Sequence, residues 1–160
     1  MSAYRTLAPW AALFRSGNSV TAIFGVALGS ILASQGLPSG DFAIITALHC
    51  LSVMTFMFSW NALNDYLDIE IDRINRPDRP LPSGEISEVA ARRGILSTAV
   101  LSASFLVVAA YVSHSGEIGL DGWLPSLAIW MMALLLLFNY ESPSKLSFRM
   151  KDRGLPGNLA

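Results

Sequence analysis

Acidic and amide side chains recur every four residues in NDYLDIEIDRINRPDRPLPSG, residues 64–84. Asn64, Asp68 and Asp72 are four positions apart, and Asp65 directly follows the asparagine. At about 100° per residue, these side chains fall on one arc of a helix. Oxygen ligands suit Mg2+, which proteins typically bind through one or two carboxylates together with substrate phosphates. The spacing therefore predicts a site for Mg2+ and a diphosphate.

The same acids could instead solvate a helix end and pair with the arginines that follow, Arg73, Arg76 and Arg79. Two observations favour the metal site. Asn61 lies one turn earlier on the same arc, and the stretch adjoins an apolar run, 42–63, that contains no charged residue. Carboxylates gathered on one face repel each other unless a cation lies between them.

Long apolar segments must position this site. The 160-residue chain is 52% hydrophobic and only 14% charged, against about 25% charged in soluble domains. Hydrophobic segments cover roughly 19–34, 42–63, 94–112 and 123–140. A span needs about 20 mostly apolar residues, so the last three segments qualify and the first is marginal. We expect an all-α, polytopic transmembrane helical bundle, with an interfacial helix rather than a cleaved signal peptide before the first span.

The basic residues predict the topology. All eleven lie before the first segment, between the second and third, or after the fourth. The other two connections carry no lysine or arginine, and GLDGWLP, residues 119–125, is expected to form a tight outer turn. By the positive-inside rule, the N-terminus, the 64–93 loop and the C-terminal end are cytoplasmic in a multi-pass protein of the cell membrane. The net charge of -1 gives no reason to expect a nucleic-acid partner.

Smaller features of the spans carry expectations about packing. Gly25 and Gly29 form a small-xxx-small pair, which predicts close helix packing. His49 lies in mid-span and is expected to be packed and hydrogen-bonded rather than catalytic. Cys50 is expected to be a buried small hydrophobe.

The 64–84 stretch resembles the first Asp-rich signature, N-x-x-x-D-x-x-x-D, of the UbiA superfamily of intramembrane prenyltransferases, and Asn64, Asp68 and Asp72 occupy its positions. The GNS after Arg15 and the KDRGLPGNL that begins at Lys151 are also similar to the family. The resemblance implies a helical bundle of about nine spans around a central cavity. Residues 1–160 would then be the N-terminal part of a single membrane domain, contributing four of those spans.

The resemblance also implies an enzyme, a prenyltransferase that moves a prenyl group, expected to be geranylgeranyl, from its diphosphate to a lipophilic acceptor with Mg2+ as cofactor. The loop sequence is most similar to members whose acceptor is geranylgeranylglyceryl phosphate in ether-lipid synthesis. The alternatives are an aromatic or tetrapyrrole acceptor (a 4-hydroxybenzoate-type quinone precursor or chlorophyllide) and, in another class, a non-catalytic membrane scaffold.

The family pattern assigns roles by position. The expected metal ligands are Asn64, Asp65, Asp68 and Asp72. The expected diphosphate contacts are Asn64, Arg76, Arg79 and Lys151. The expected catalytic residues are Asp68, Asp72, Arg79 and Lys151.

The family's second Asp-rich motif belongs two spans beyond the fourth, and no other acidic cluster in the 160 residues replaces it. We therefore expect the site to be completed by a C-terminal half or by a second chain. On that expectation, the 160 residues alone are inactive, and their partners are a prenyl diphosphate, a lipophilic acceptor and the lipid bilayer.

Overall fold

Helices account for most of the computed structural model, which describes residues 4–116 and 118–141. The helices are α1 (Tyr4–Leu13), α2 (Ser16–Ser34), α3 (Gly40–Leu67), α4 (Ile69–Asn75), α5 (Glu88–Ser115) and α6 (Gly119–Glu141). No strand occurs among these residues. Within them, α2, α3, α5 and α6 are long and apolar enough to cross a membrane. The predicted all-α fold with four spans is confirmed, and each predicted segment lies inside one of these helices.

The chain divides into two compact units, Met1–Ile118 and Gly119–Ala160. The described part of the second unit is α6, whose mean hydropathy of 1.7 matches that of a membrane span. The expectation of a tight turn over residues 119–125 is wrong, because α6 begins at Gly119 and Pro125 lies within the helix. Asp121 in the first turn favours this earlier start, since an acidic side chain stabilises a helix N-terminus.

In the first unit, α3 packs against α5 and α2. Ser59 donates a hydrogen bond from its hydroxyl to the carbonyl oxygen of Ile95 at 3.0 Å. Nearer the start of α3, the hydroxyl of Ser52 lies 3.2 Å from that of Ser102. Positions rise along α3 as they fall along α5, so the two helices are antiparallel. Side-chain hydroxyls that bond across a helix interface are a typical device of membrane helix packing.

A small hydrophobic core joins α1 to α3 and α5. Its buried side chains are Leu13 of α1, Ala62 of α3, Ala91 of α5, and Leu81 and Ile86 of the loop between α4 and α5. Leu13, Ala62 and Ala91 are fully buried. The core therefore lies at the end of the α3–α5 pair where the acidic residues are found.

Glycine permits a close approach between α1 and α5 at Gly94. A Cβ atom there would lie 2.6 Å from the Trp10 ring, so α1 rests on α5 only because the side chain is absent. Gly25 and Gly29 were expected to play this part, and that expectation is wrong for the described chain, where a Cβ at either meets nothing within 4 Å. The expected hydrogen bond of His49 is also not found at Nε2, which is buried without a partner among the described residues.

Candidate active site at the end of the second span

The acidic stretch continues the helical path of α3 with one break. Asp68 separates α3 from α4 at φ −91° and ψ 7°. Its N–H donates to the carbonyl oxygen of Asn64 at 3.0 Å, and the N–H of Asp72 donates to the Asp68 carbonyl oxygen at 2.8 Å. The helical register passes through the break almost intact, so the acids remain on one side.

That side faces inward. Asp65 and Asp72 are 6% and 5% exposed, and Asn64 and Asp68 are half-buried. Glu70 lies on the other side, where its side chain is 75% exposed and pairs with Arg73 at 2.6 Å. The structure thus separates the carboxylates of the signature from an ordinary surface carboxylate within the same turn.

Arg79 connects the two buried carboxylates. Its Nη1 donates to Oδ1 of Asp65 at 3.2 Å and to Oδ2 of Asp72 at 2.6 Å. Buried charges need such partners, because an isolated carboxylate out of water is strongly disfavoured. Pairing with Arg79 is what the alternative of a charged helix end predicts for these acids, and the expected contact of Arg79 with a diphosphate stays a prediction.

The loop that carries Arg79 is folded rather than extended. Leu81, two residues further on, is buried in the core, and Ile86 donates its N–H to the carbonyl oxygen of Pro80 at 2.9 Å. Gly84 has a φ of +79°, a conformation that side-chain-bearing residues rarely adopt. Apolar anchors and a glycine turn thus set the direction from which Arg79 reaches the acids.

A second arginine, Arg15, reaches Asp65 from the turn between α1 and α2. Its Nη2 donates to Oδ1 of Asp65 at 2.6 Å. The backbone of Arg15 is left-handed, with φ 46° and ψ 53°. Next to it, the carbonyl oxygen of Phe14 accepts a hydrogen bond from Nδ2 of Asn61 at 3.0 Å.

Arg15 was not predicted to be a site residue. In the sequence it is one of the basic residues that indicate the topology. The partners are 50 positions apart, a separation that no local pattern reveals. Among the other expected residues, Arg76 is exposed at the end of α4, and Lys151 lies outside the described residues. Asn61 does lie near the acids, but its amide supports the backbone of the α1–α2 turn.

The residue types at the site, rather than their present arrangement, suit a hard cation. In residues 4–116 and 118–141, no group of three or more His, Cys, Asp or Glu side chains is arranged to hold a metal ion. Two carboxylates nevertheless meet at one cationic nitrogen of Arg79. Carboxylate oxygens that converge on a positive charge, with half-buried Asn64 and Asp68 alongside, are the ligand types that Mg2+ uses with a phosphate substrate.

Comparisons with known proteins place the chain in a family. The UbiA prenyltransferase family matches residues 22–160. A digeranylgeranylglyceryl phosphate synthase of Methanobrevibacter smithii is 36% identical over 152 residues, which are 94% of this chain and 46% of the relative. The synthase of that name from Haloquadratum walsbyi is 39% identical over 150 residues, covering 91% of this chain and 42% of the relative.

A solved structure described as digeranylgeranylglyceryl phosphate synthase in membranes is also similar, with a TM-score of 0.58 and 30% identity over 86% of this chain and 44% of the other. The chain thus spans less than half the length of the relatives it matches. With four apolar helices of spanning length, it is a multi-pass membrane protein. The match over residues 22–160 shows that the chain belongs to the UbiA prenyltransferase family.

Proposed function

We propose that this chain forms part of an enzyme that transfers a geranylgeranyl group from its diphosphate to geranylgeranylglyceryl phosphate, in ether-lipid synthesis. One observation carries the proposal: buried Asp65 and Asp72 converge on Arg79 at the end of an apolar helix long enough to span the bilayer. The names of the similar proteins support the choice of acceptor.

The membrane helices would accommodate the substrate's hydrocarbon. At about 1.5 Å per residue, α3 is about 42 Å long, more than the hydrocarbon thickness of about 30 Å. Its acidic end therefore reaches the polar interface while its apolar length remains in the lipid. A prenyl diphosphate has the same division, with an anionic head and an apolar tail.

In this proposal, Asn64, Asp68 and Asp72 would hold Mg2+, and Asn64, Arg76, Arg79 and Lys151 would contact the diphosphate. Asp65 was also expected to hold the metal, but in the structure it pairs with both Arg15 and Arg79. When bound, Mg2+ supplies positive charge that stabilises the departing diphosphate. The arginines add preorganised donors to the same developing charge. The apolar spans exclude water from the allylic carbon as the acceptor attacks it.

We place the acidic end, the N-terminus and the C-terminal end of the chain at the cytoplasmic face of the cell membrane. The support is the distribution of lysine and arginine between the connections. We further propose that a C-terminal half or a second chain completes the site, because the family's other Asp-rich motif has no counterpart in these 160 residues.

The test is a transfer assay on a version that includes the completing half. Geranylgeranyl diphosphate with geranylgeranylglyceryl phosphate and Mg2+ should give the diether product, and chelation of Mg2+ should abolish it. Prenylation of only 4-hydroxybenzoate or chlorophyllide would refute the ether-lipid acceptor and keep the family chemistry. No transfer to any acceptor would refute the proposal and favour a scaffold.

A further inference from the structure

Two consecutive residues of the α1–α2 turn are held by two residues one helical turn apart on α3. Asn61 donates to the carbonyl oxygen of Phe14 at 3.0 Å, and Asp65 accepts from Arg15 at 2.6 Å. The turn is also anchored from α1, where Leu13 is fully buried in the core. The N-terminal segment therefore reaches the acidic site through defined contacts.

Asp65 differs from Asp72 in how its charge is used. One oxygen of Asp65, Oδ1, accepts from both Arg15 and Arg79, whereas Oδ2 of Asp72 pairs with Arg79. A carboxylate shared by two guanidinium groups has its charge compensated without a metal ion. Its side chain is 8% exposed, which leaves little room for water to replace either partner.

We propose that Arg15 is a positioning residue that acts through Asp65, and that Asp65 is the anionic support of Arg79 rather than a metal ligand. The proposal rests on the proposed function, because it concerns how Arg79 is presented to a diphosphate. Arg15 and Asp65 support Arg79 from one side, and Asp72, which among the described residues pairs with Arg79 alone at 2.6 Å, is the carboxylate that a metal would take over when Arg79 turns to the diphosphate.

The physical reason is competition for one cation. With Arg15 present, the charge of Asp65 is already compensated, so Arg79 can leave Asp65 at little cost and, in the described part of the chain, has only its pair with Asp72 to exchange for a diphosphate and metal. Without Arg15, Asp65 depends on Arg79 alone and holds it more firmly, since charge-assisted hydrogen bonds at a buried carboxylate are strong. Loss of Arg15 should therefore weaken diphosphate binding and leave metal binding nearly unchanged.

The experiment is a double-mutant cycle with Arg15→Gln and Asp65→Asn in the full-length enzyme. Each single variant should raise the KM for geranylgeranyl diphosphate by about tenfold, and the double variant should be no worse than the worse single, as for residues that act as one unit. Arg15→Lys should restore part of the loss, since lysine keeps the charge without the planar fork. Arg73→Gln is the matched control: Arg73 pairs with exposed Glu70, so KM should not change.

Binding measurements supply readouts that do not depend on activity. Calorimetry should show weaker pyrophosphate binding, with Mg2+ present, in Arg15→Gln and Asp65→Asn. Mn2+ affinity, measured by electron paramagnetic resonance, should stay near the wild-type value in both variants and fall in Asp72→Asn.

Several results would overturn the inference. Additive losses in the double variant would mean that Arg15 and Asp65 act independently. A loss of Mn2+ affinity in Asp65→Asn equal to that in Asp72→Asn would make Asp65 a metal ligand. A lower melting temperature with unchanged KM and pyrophosphate affinity would make Arg15 merely structural. A wild-type enzyme without transferase activity would refute the proposed function, and the two binding measurements would still decide the role of Arg15.

Discussion

The hydroxyl groups of Ser52 and Ser102 lie 3.2 Å apart, and each donates to the backbone carbonyl oxygen of the other residue, at 2.9 and 2.8 Å. Both residues are buried near the middle of their helices. This reciprocal pair fixes the register of α3 against α5 at a depth where water cannot replace a lost partner. Because α3 carries the acids and α5 supports the loop that returns from them, the register also matters for the site.

Ser52→Ala should therefore destabilise the protein, by about 0.6 kcal/mol and at most about 1.7 kcal/mol, the range found for polar contacts between membrane helices. Unfolding in detergent measures the change. Ser104→Ala is the control, because the Ser104 hydroxyl is exposed and bonds within its own helix, to the carbonyl oxygen of Val100. A double variant with Ser102→Ala should show non-additive losses; simple additivity would mean that the two hydroxyls are not coupled.

Charge removal within one helical turn tests the acidic site. In a full-length enzyme, Asp68→Asn and Asp72→Asn should each lower transfer by at least about 10²-fold, which corresponds to about 2.7 kcal/mol of the barrier. Glu70→Gln should have little effect, because its side chain is exposed and pairs with Arg73 on the opposite side. Product formation at saturating Mg2+ measures this. Equal and mild losses at all three positions would contradict the metal-site proposal.

The orientation of the first unit can be tested by cysteine labelling after Cys50→Ala. Leu37 and His114 lie at one end of the antiparallel helices, and Asp78 and Arg92 at the other; all four are exposed. Cysteines at the first pair should react with an impermeant reagent from outside intact cells, and cysteines at the second pair only after permeabilisation. The reverse result would place the acidic end outside and refute a cytoplasmic site.

The close contact at Gly94 predicts a strong response to one methyl group. Gly94→Ala would place a Cβ 2.6 Å from the Trp10 ring, so α1 must shift, with a cost of about 1–3 kcal/mol typical of overpacking. Gly25→Ala, where the added Cβ meets no described atom within 4 Å, should be tolerated. Thermal unfolding in detergent distinguishes them, and Gly94→Ala combined with Trp10→Leu should recover stability. Equal melting temperatures for the two alanine variants would contradict the contact.

The features predicted correctly from the sequence depend on local periodicity. The lengths of the apolar segments predicted the four spans. The four-residue spacing of Asp68 and Asp72 predicted that they lie on the same side of the helix. The features that were missed depend on contacts distant along the chain. Arg15 meets Asp65 across 50 positions, and the support of the Arg79 loop by Leu81 is a matter of core packing. Gly25 was favoured over Gly94 because a spacing motif is visible in a sequence, whereas the approach of a tryptophan from another helix is not.

The ion pairs around Asp65 and Asp72 also bear on how the chain enters the membrane. Their partners, Arg15 and Arg79, both precede α5, so the two carboxylates can be paired before that helix has been synthesised. A carboxylate left unpaired beside the hydrocarbon is costly, and neither of these must wait for a cation from a later span. Both carboxylates can therefore form their ion pairs as soon as Arg79 has been synthesised, before α5 enters the membrane.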